Sequence, residues 1–281
     1  HRDALVISPY QQAANRLREI ALGPNSHGSV GRGIRDTRCD HIEYSDQVLF
    51  ARDLGNPTVT RRKLKFLRDL KYEQFRDVIS QANGNQAIKD QLWVFKPDIL
   101  EGHVEFFWRL SRMVQIVDDS WLEARLQLPG VVGFEGGQGV LLDEDYGFYP
   151  HVTWSRTGFT NALELLAGYT GEIVRLGLLR AYATRHGKGP IVTEEASLGA
   201  YLPEPDNPSG QFTGAFRVGY LDLVALRYAL DVTGGADFLA VSHLDLLAHV
   251  PQWNICEAYC CDHPEAPEFF EMRGNLATRI K

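Results

Sequence analysis

Two stretches of this 281-residue chain hold residue types at spacings suited to chemistry. In Phe134-Glu135-Gly136-Gly137-Gln138-Gly139, three glycines surround a single amide just after the apolar run Val131 to Phe134. Glycines let a backbone approach a ligand closely and leave its N–H groups free for an anion or a carbonyl. Gln138 is the side chain of the run that can both donate and accept. By spacing alone the same run is equally a tight turn whose glycines supply positive φ. Downstream lie Asp143, Asp145, Tyr149, Pro150, His151, Thr153 and Ser155. Two carboxylates and a histidine are the types that acid–base work uses, and also those of an ordinary polar loop.

Other candidates are thinner. Asn25 to Gly33 is a glycine-punctuated loop, and Gly187 to Glu195 opens with Gly-Lys-Gly-Pro. Asp245 follows an apolar run at 238–241, where a carboxylate could accept two N–H groups of a guanine-type edge; a strand-end aspartate is also a common turn former. Asp222 stands at the start of a helical pattern as a solvated or capping residue, and the basic run 61–68 reads as a solvated helix face. No G-x-x-x-x-G-K-[ST] phosphate loop, nucleophile elbow or His-Glu-x-x-His occurs. Cys39, Cys256, Cys260 and Cys261 lack a second ligand pair at zinc spacing, so reduced thiols and no metal site are expected.

The elements that must position these residues can be read from periodicity. Residues 4–8 predict a short strand and 9–22 a helix. Phe75, Val78, Ile79 and Ala82 predict one helical face, and Phe107, Leu110, Val114, Val117 and Trp121 another. Val131 to Phe134, 176–183, 238–241 and Trp253 to Tyr259 predict strands, with Leu221, Val224, Ala225, Tyr228 and Val232 marking a helix between them. Strands alternating with helices predict an α/β fold with a largely parallel sheet, whose ligands gather beyond the strand C-termini. With 29 basic and 36 acidic residues the chain carries −7, against a nucleic-acid-wrapping role. No apolar run reaches the roughly 18–20 residues of a bilayer span, and no signal segment opens the chain. A soluble intracellular protein is expected, without nucleic-acid or membrane partners. The opening His-Arg-Asp, running straight into apolar residues, predicts a fragment whose first part is missing.

Four ordered stretches then resemble one family. F-E-G-G-Q-G-V-L-L-D-E-D-Y-G-F-Y-P-H-V-T at 134–153 is similar to the adenylosuccinate synthetase signature F-E-G-A-Q-G-x-L-L-D-x-D-x-G-x-Y-P-x-V-T. G-S-V-G-R-G-I at 28–34 resembles G-T-T-G-R-G-I, and G-K-G-P-I-V-T-E at 187–194 resembles G-x-G-P-F-P-T-E. R-V-G-Y-L-D at 217–222, followed by S-H-L-D at 242–245, resembles R-x-G-W-x-D followed by T-K-L-D.

The resemblance implies a purine-biosynthetic ligase that uses GTP to phosphorylate the 6-oxygen of IMP before aspartate displaces the phosphate. It implies an α/β fold with a mostly parallel central sheet flanked by helices and an inserted helical subdomain. Residues 1–281 would form one domain, with helices at about 58–126 and the nucleotide-binding core at about 130–261. Gln138 would stabilise charge at the purine 6-oxygen, and Ser29, Thr153 and Arg217 would join it in holding the substrate nucleotide. His243, Leu244 and Asp245 would face GTP. GTP and magnesium are the implied cofactors, nucleotide and amino acid the small-molecule substrates, a cytoplasmic homodimer the implied assembly. The family's phosphate loop G-D-E-G-K-G-K, its catalytic aspartate and histidine, its magnesium ligands and a C-terminal G-P-x-R have no counterpart in this sequence, which implies an inactive fragment. Val30 replaces a threonine, His243 a lysine, and T-G-R-x-R-R has become Thr213-Gly214-Ala215-Phe216-Arg217. The alternative is a non-catalytic nucleotide-binding or dimerisation module, or a paralogue using another amino acid or purine.

Overall fold

The computed structural model describes residues 1–26, 28–205, 212 and 214–281. His27 and Thr213, each in a predicted loop, lie outside the described residues. The chain divides into two compact units, His1–Gly133 and Phe134–Lys281.

The first unit is helical. Its elements are α1 (Pro9–Leu22), α2 (Ile34–Tyr44), α3 (Pro57–Gln74), α4 (Arg76–Ser80), α5 (Gln86–Leu92), α6 (Leu100–Met113) and α7 (Asp119–Leu126). Local chemistry sets the start of α1: Ser8 and Gln11 form a reciprocal capping box around Pro9. Asn56 caps α3 in the same position, its carboxamide oxygen accepting the Thr58 and Val59 N–H groups. Tyr10, Leu17, Leu49, Leu64 and Leu67 are fully buried between these helices.

Three expectations need correction here. Residues 4–8 do not form a strand; Leu5 makes one antiparallel bridge to Phe50. The Phe75–Ala82 pattern starts at a break, since α3 ends at Gln74 and Phe75 leaves the helical region at φ −110°, ψ 15°. The Phe107–Trp121 face is likewise two helices. Val114 is extended, Val117 C=O accepts the Arg2 N–H at 2.6 Å, and the β-branched Val114, Ile116 and Val117 disfavour continued helix.

The second unit is mixed: α8 (Thr160–Leu165), β1 (Leu176–Arg180), β2 (Ala183–His186), β3 (Phe216–Gly219), β4 (Leu221–Asp222), α9 (Leu223–Val232), β5 (Phe238–Ser242), α10 (Leu244–Leu247), β6 (Ile255–Cys256), β7 (Tyr259–Cys260), α11 (Ala266–Phe269), β8 (Phe270–Arg273) and β9 (Leu276–Ile280). The α/β class is therefore what the sequence implied, with parallel portions β1–β5, from Leu176↔Phe238 to Arg180↔Ser242, and β4–β6. The strands lie in four small sheets, the other two being antiparallel: β2–β3 and β7–β9–β8. The predicted strand at 176–183 splits because β1 pairs with β5 while β2 turns to pair with β3. Trp253 to Tyr259 splits the same way, between β4 and β9 as partners. Val131 to Phe134 is not a buried strand. Val131 is 99% exposed and no described strand runs beside it, so its backbone has no ladder to join. Ala181, Tyr182, Leu198, Leu202 and Val218 form the buried cluster of this unit. Asp222 is a cap: it accepts the Ala225 N–H at 2.9 Å and the Tyr259 hydroxyl at 2.7 Å. Burial and that bond raise the Tyr259 phenol above its ordinary pKa.

Candidate nucleotide site

The loop from Phe134 to Thr157 is organised around one carboxylate. Asp143, 2% exposed, accepts the N–H groups of Asp145 (2.9 Å) and Tyr146 (3.3 Å) on one oxygen. On the other it accepts the Thr157 N–H (2.6 Å) and hydroxyl (3.2 Å). Burial pushes its pKa up, but those backbone and hydroxyl donors outweigh it and hold Asp143 below the ordinary carboxylate value. The hub folds the strip back on itself, with Thr153 N–H donating to Leu142 C=O at 2.7 Å and Glu144 N–H to Ser155 C=O at 3.2 Å. Gln138, Thr153 and Ser155 thereby come together. Ser155 Oγ donates to Gln138 Oε1 at 3.5 Å and lies 3.4 Å from Thr153 Oγ1.

None of Gly136, Gly137 and Gly139 has positive φ, so these glycines do not form the turn by supplying it. Gln138 itself takes the left-handed conformation, at φ 68°. A Cβ added at Gly137 or Gly139 would meet nothing within 4 Å. Backbone strain of this kind is found in turns that face ligands, and the open space beside Gln138 leaves room for one. His243, at φ 63°, is another non-glycine residue held this way.

Ser29 belongs to the first unit. Its hydroxyl donates to Asn15 Oδ1 at 3.1 Å and accepts the Gly31 N–H at 3.3 Å, while Gly28 N–H donates to Glu19 at 3.1 Å. Gln11, Asn15 and Glu19, at i, i+4 and i+8 of α1, are all buried. Sequence reasoning missed them, although three polar residues on a buried helical face are a readable signal. Gly33 ends the loop at φ 86°, where a Cβ would lie 2.8 Å from the Gln11 backbone carbon. Gly33→Ala is expected to cost the first unit roughly 2 kcal/mol, through left-handed strain and that clash. Urea unfolding of the variant checks this, and an unchanged midpoint would remove the glycine's structural role.

Arg217, in β3, has its guanidinium turned into the chain. It forms an ion pair with Glu194 and donates to the carbonyls of Gly187 (2.9 Å) and Gly189 (2.8 Å). The Glu194 bond raises the Arg217 pKa, and the arginine in turn lowers that of Glu194. His243, Leu244 and Asp245 leave the C-terminal end of the parallel β1–β5 pair, where ligands of such sheets collect. Leu244 and Asp245 are exposed, and the His243 ring stands edge-on to Tyr182 at 5.8 Å. Sequence reasoning also missed the neighbours of His243. Tyr182 donates to Glu204 at 2.8 Å, and Arg180 pairs with the same carboxylate.

A family model described as adenylosuccinate synthetase matches residues 1–279. The chain belongs to the adenylosuccinate synthetase family. Adenylosuccinate synthetase of Desulfovibrio desulfuricans is 32% identical over 262 residues, covering 92% of this chain and 58% of that protein. The Anaeromyxobacter sp. synthetase is 34% identical over 282 residues, 96% of this chain and 61% of the relative. The structure of fully ligated adenylosuccinate synthetase from Plasmodium falciparum superposes with a TM-score of 0.71 at 22% identity, over 91% of this chain and 57% of that one, a likeness of fold. The chain thus spans about six-tenths of the length of the curated relatives it matches.

Among the described residues, no group of three or more His, Cys, Asp and Glu side chains is placed to hold a metal ion. The four cysteines are free thiols. No helix of the described residues is long and apolar enough to cross a membrane.

Proposed function

We propose that this chain supplies the nucleotide-binding part of a GTP-dependent ligase that joins an amine to a purine nucleotide through a 6-phosphoryl intermediate. Aspartate and IMP are the family's pair, and the working form is a cytoplasmic homodimer. The observation that supports this most is the Asp143-centred loop, which gathers Gln138, Ser155 and Thr153 with open space beside a strained amide.

Each residue has a task within that reading. The Gln138 oxygen accepts from Ser155, so its two N–H groups are left to meet the purine 6-oxygen. They strengthen as negative charge develops there, which lowers the barrier and not merely the ground state. Thr153 holds the 5′-phosphate of the nucleotide. Asp245, an exposed carboxylate following β5, accepts the guanine N–H edge of GTP beside His243 and Leu244. Magnesium would neutralise phosphate charge when bound; among the described residues no group of three or more His, Cys, Asp and Glu side chains is placed to hold it.

One observation favours a paralogue with a different amine. The arginine retained from the family's amino-acid loop, Arg217, already pairs with Glu194 and two carbonyls. A free guanidinium is what a second carboxylate of aspartate would ask for. The full-length protein, assayed with IMP, GTP, magnesium and a panel of amines, should release orthophosphate in step with new purine–amine product. Amines with one carboxylate or none are expected to outpace aspartate. Phosphate release without any coupled product would end the ligase reading, and a clear preference for aspartate would end the paralogue reading.

A further inference from the structure

We propose that Arg185 is a positioning residue for the nucleotide loop, tying the His151 carbonyl, two residues ahead of Thr153, to the Lys188 carbonyl of the glycine loop. Arg185 lies in β2 and is 7% exposed. Its Nη2 donates to His151 C=O at 2.6 Å and its Nε to Lys188 C=O at 2.9 Å. The inference rests on reading Thr153 as a phosphate contact.

The arrangement is costly by ordinary rules. In the β2–β3 ladder Arg185 stands directly opposite Arg217, and like charges at facing positions oppose pairing. Glu194 pairs with Arg217. Burial first, and the Arg217 charge second, lower the Arg185 pKa. What compensates is a set of carbonyls: the two guanidiniums together take those of Gly187, Lys188 and Gly189, three residues in a row. Gly189 is fitted to this. At φ 109°, a Cβ there would stand 2.5 Å from Arg185 Nε and Nη2.

A guanidinium bound only to its own hairpin would be scaffolding. This one also reaches His151, and from His151 the chain runs into Thr153, whose N–H is fixed to Leu142 and whose hydroxyl neighbours Ser155 and Gln138. Arg185 therefore sets where the Thr153 hydroxyl waits. A planar fork can hold two carbonyls in fixed directions; an ammonium cannot.

The test is IMP binding by calorimetry to the full-length protein as wild type, Arg185→Met, Arg185→Lys, Thr153→Ala and the double variant Arg185→Met/Thr153→Ala, with thermal unfolding measured beside it. Arg185→Met is expected to weaken IMP about tenfold, the size of one lost charge-assisted hydrogen bond, and Arg185→Lys to recover part of it. In the Thr153→Ala background the same change should alter affinity less than about twofold, because the residue through which it acts is gone. A folded Arg185→Met that binds IMP like wild type overturns the proposal, as does an undiminished effect in the Thr153→Ala background. Should Arg185→Met fail to fold, Gly189→Ala displaces the guanidinium without deleting it and should weaken IMP with the same dependence on Thr153; unchanged affinity there overturns the proposal too. A wild-type protein that binds no IMP removes the phosphate reading itself, an outcome distinct from binding that ignores Arg185.

Discussion

Replacing Gln138 by alanine is expected to lower kcat at least about 100-fold, the loss seen when an oxyanion donor is deleted, and to leave folding stability unchanged. The two halves of the expectation have different causes. Catalysis suffers because the amide N–H groups are the donors proposed to face the purine 6-oxygen. Stability does not, because the side chain's contact is a long 3.5 Å bond from Ser155 at an exposed position, and alanine keeps the same left-handed backbone. Gln138→Gly separates the effects further. It should lose the same activity yet unfold at a higher temperature, since glycine relieves strain of roughly 1 kcal/mol at φ 68°. Steady-state kinetics and thermal unfolding of both variants decide the matter. A kcat within a few-fold of wild type for Gln138→Ala would take the amide out of the chemistry.

What could be read from the sequence was local chemistry. The start of α1 follows from Ser8, Pro9 and Gln11, whose capping bonds close within four residues. Asp222 as a cap follows the same logic, the N–H that it accepts lying three residues along at Ala225. The amide among glycines at Gln138 could be singled out, but spacing did not show that the glutamine and not a glycine would take the left-handed conformation. Periodicity overreached where side-chain type and backbone disagreed. Phe107, Leu110, Val114, Val117 and Trp121 keep helical spacing, yet the β-branched residues among them sit in the break between α6 and α7. Val131 to Phe134 has the composition of a buried strand, but a strand also needs a neighbour. The tertiary partners were hidden for a simpler reason. Arg185 meets His151 across 34 residues and Arg217 meets Glu194 across 23, and no spacing rule reaches that far. The four ordered motifs carried the family, because together they are more specific than any one glycine loop.

Asp143→Ala is expected to destabilise the second unit by about 4 kcal/mol, because three backbone N–H groups and one hydroxyl lose a buried anionic acceptor together. Asp143→Asn should cost less but not nothing. Its amide keeps one oxygen, while its NH2 must face donors where an oxygen stood, either the Thr157 pair or the Asp145 and Tyr146 N–H groups. The wild type should also show an acid dependence that both variants lack. The folded-state pKa of Asp143 lies below its unfolded value of roughly 3.9, so the unfolded chain takes up the proton first. Its contribution is therefore whole above that value and is lost as pH falls through the lower, folded one. Urea unfolding from neutral pH into acid should show the gap between wild type and Asp143→Asn closing in that window. The loop argument adds a sharper consequence. Gln138, Ser155 and Thr153 share no helix or strand and are gathered by the turns that Asp143 pins. Asp143→Asn, still folded at neutral pH, should therefore bind IMP more weakly even where its stability is ample. A gap that stays constant into acid would mean that the carboxylate is protonated or unbonded in the native loop. Unaltered IMP affinity in the folded Asn variant would mean that the three site residues are held by something other than this hub.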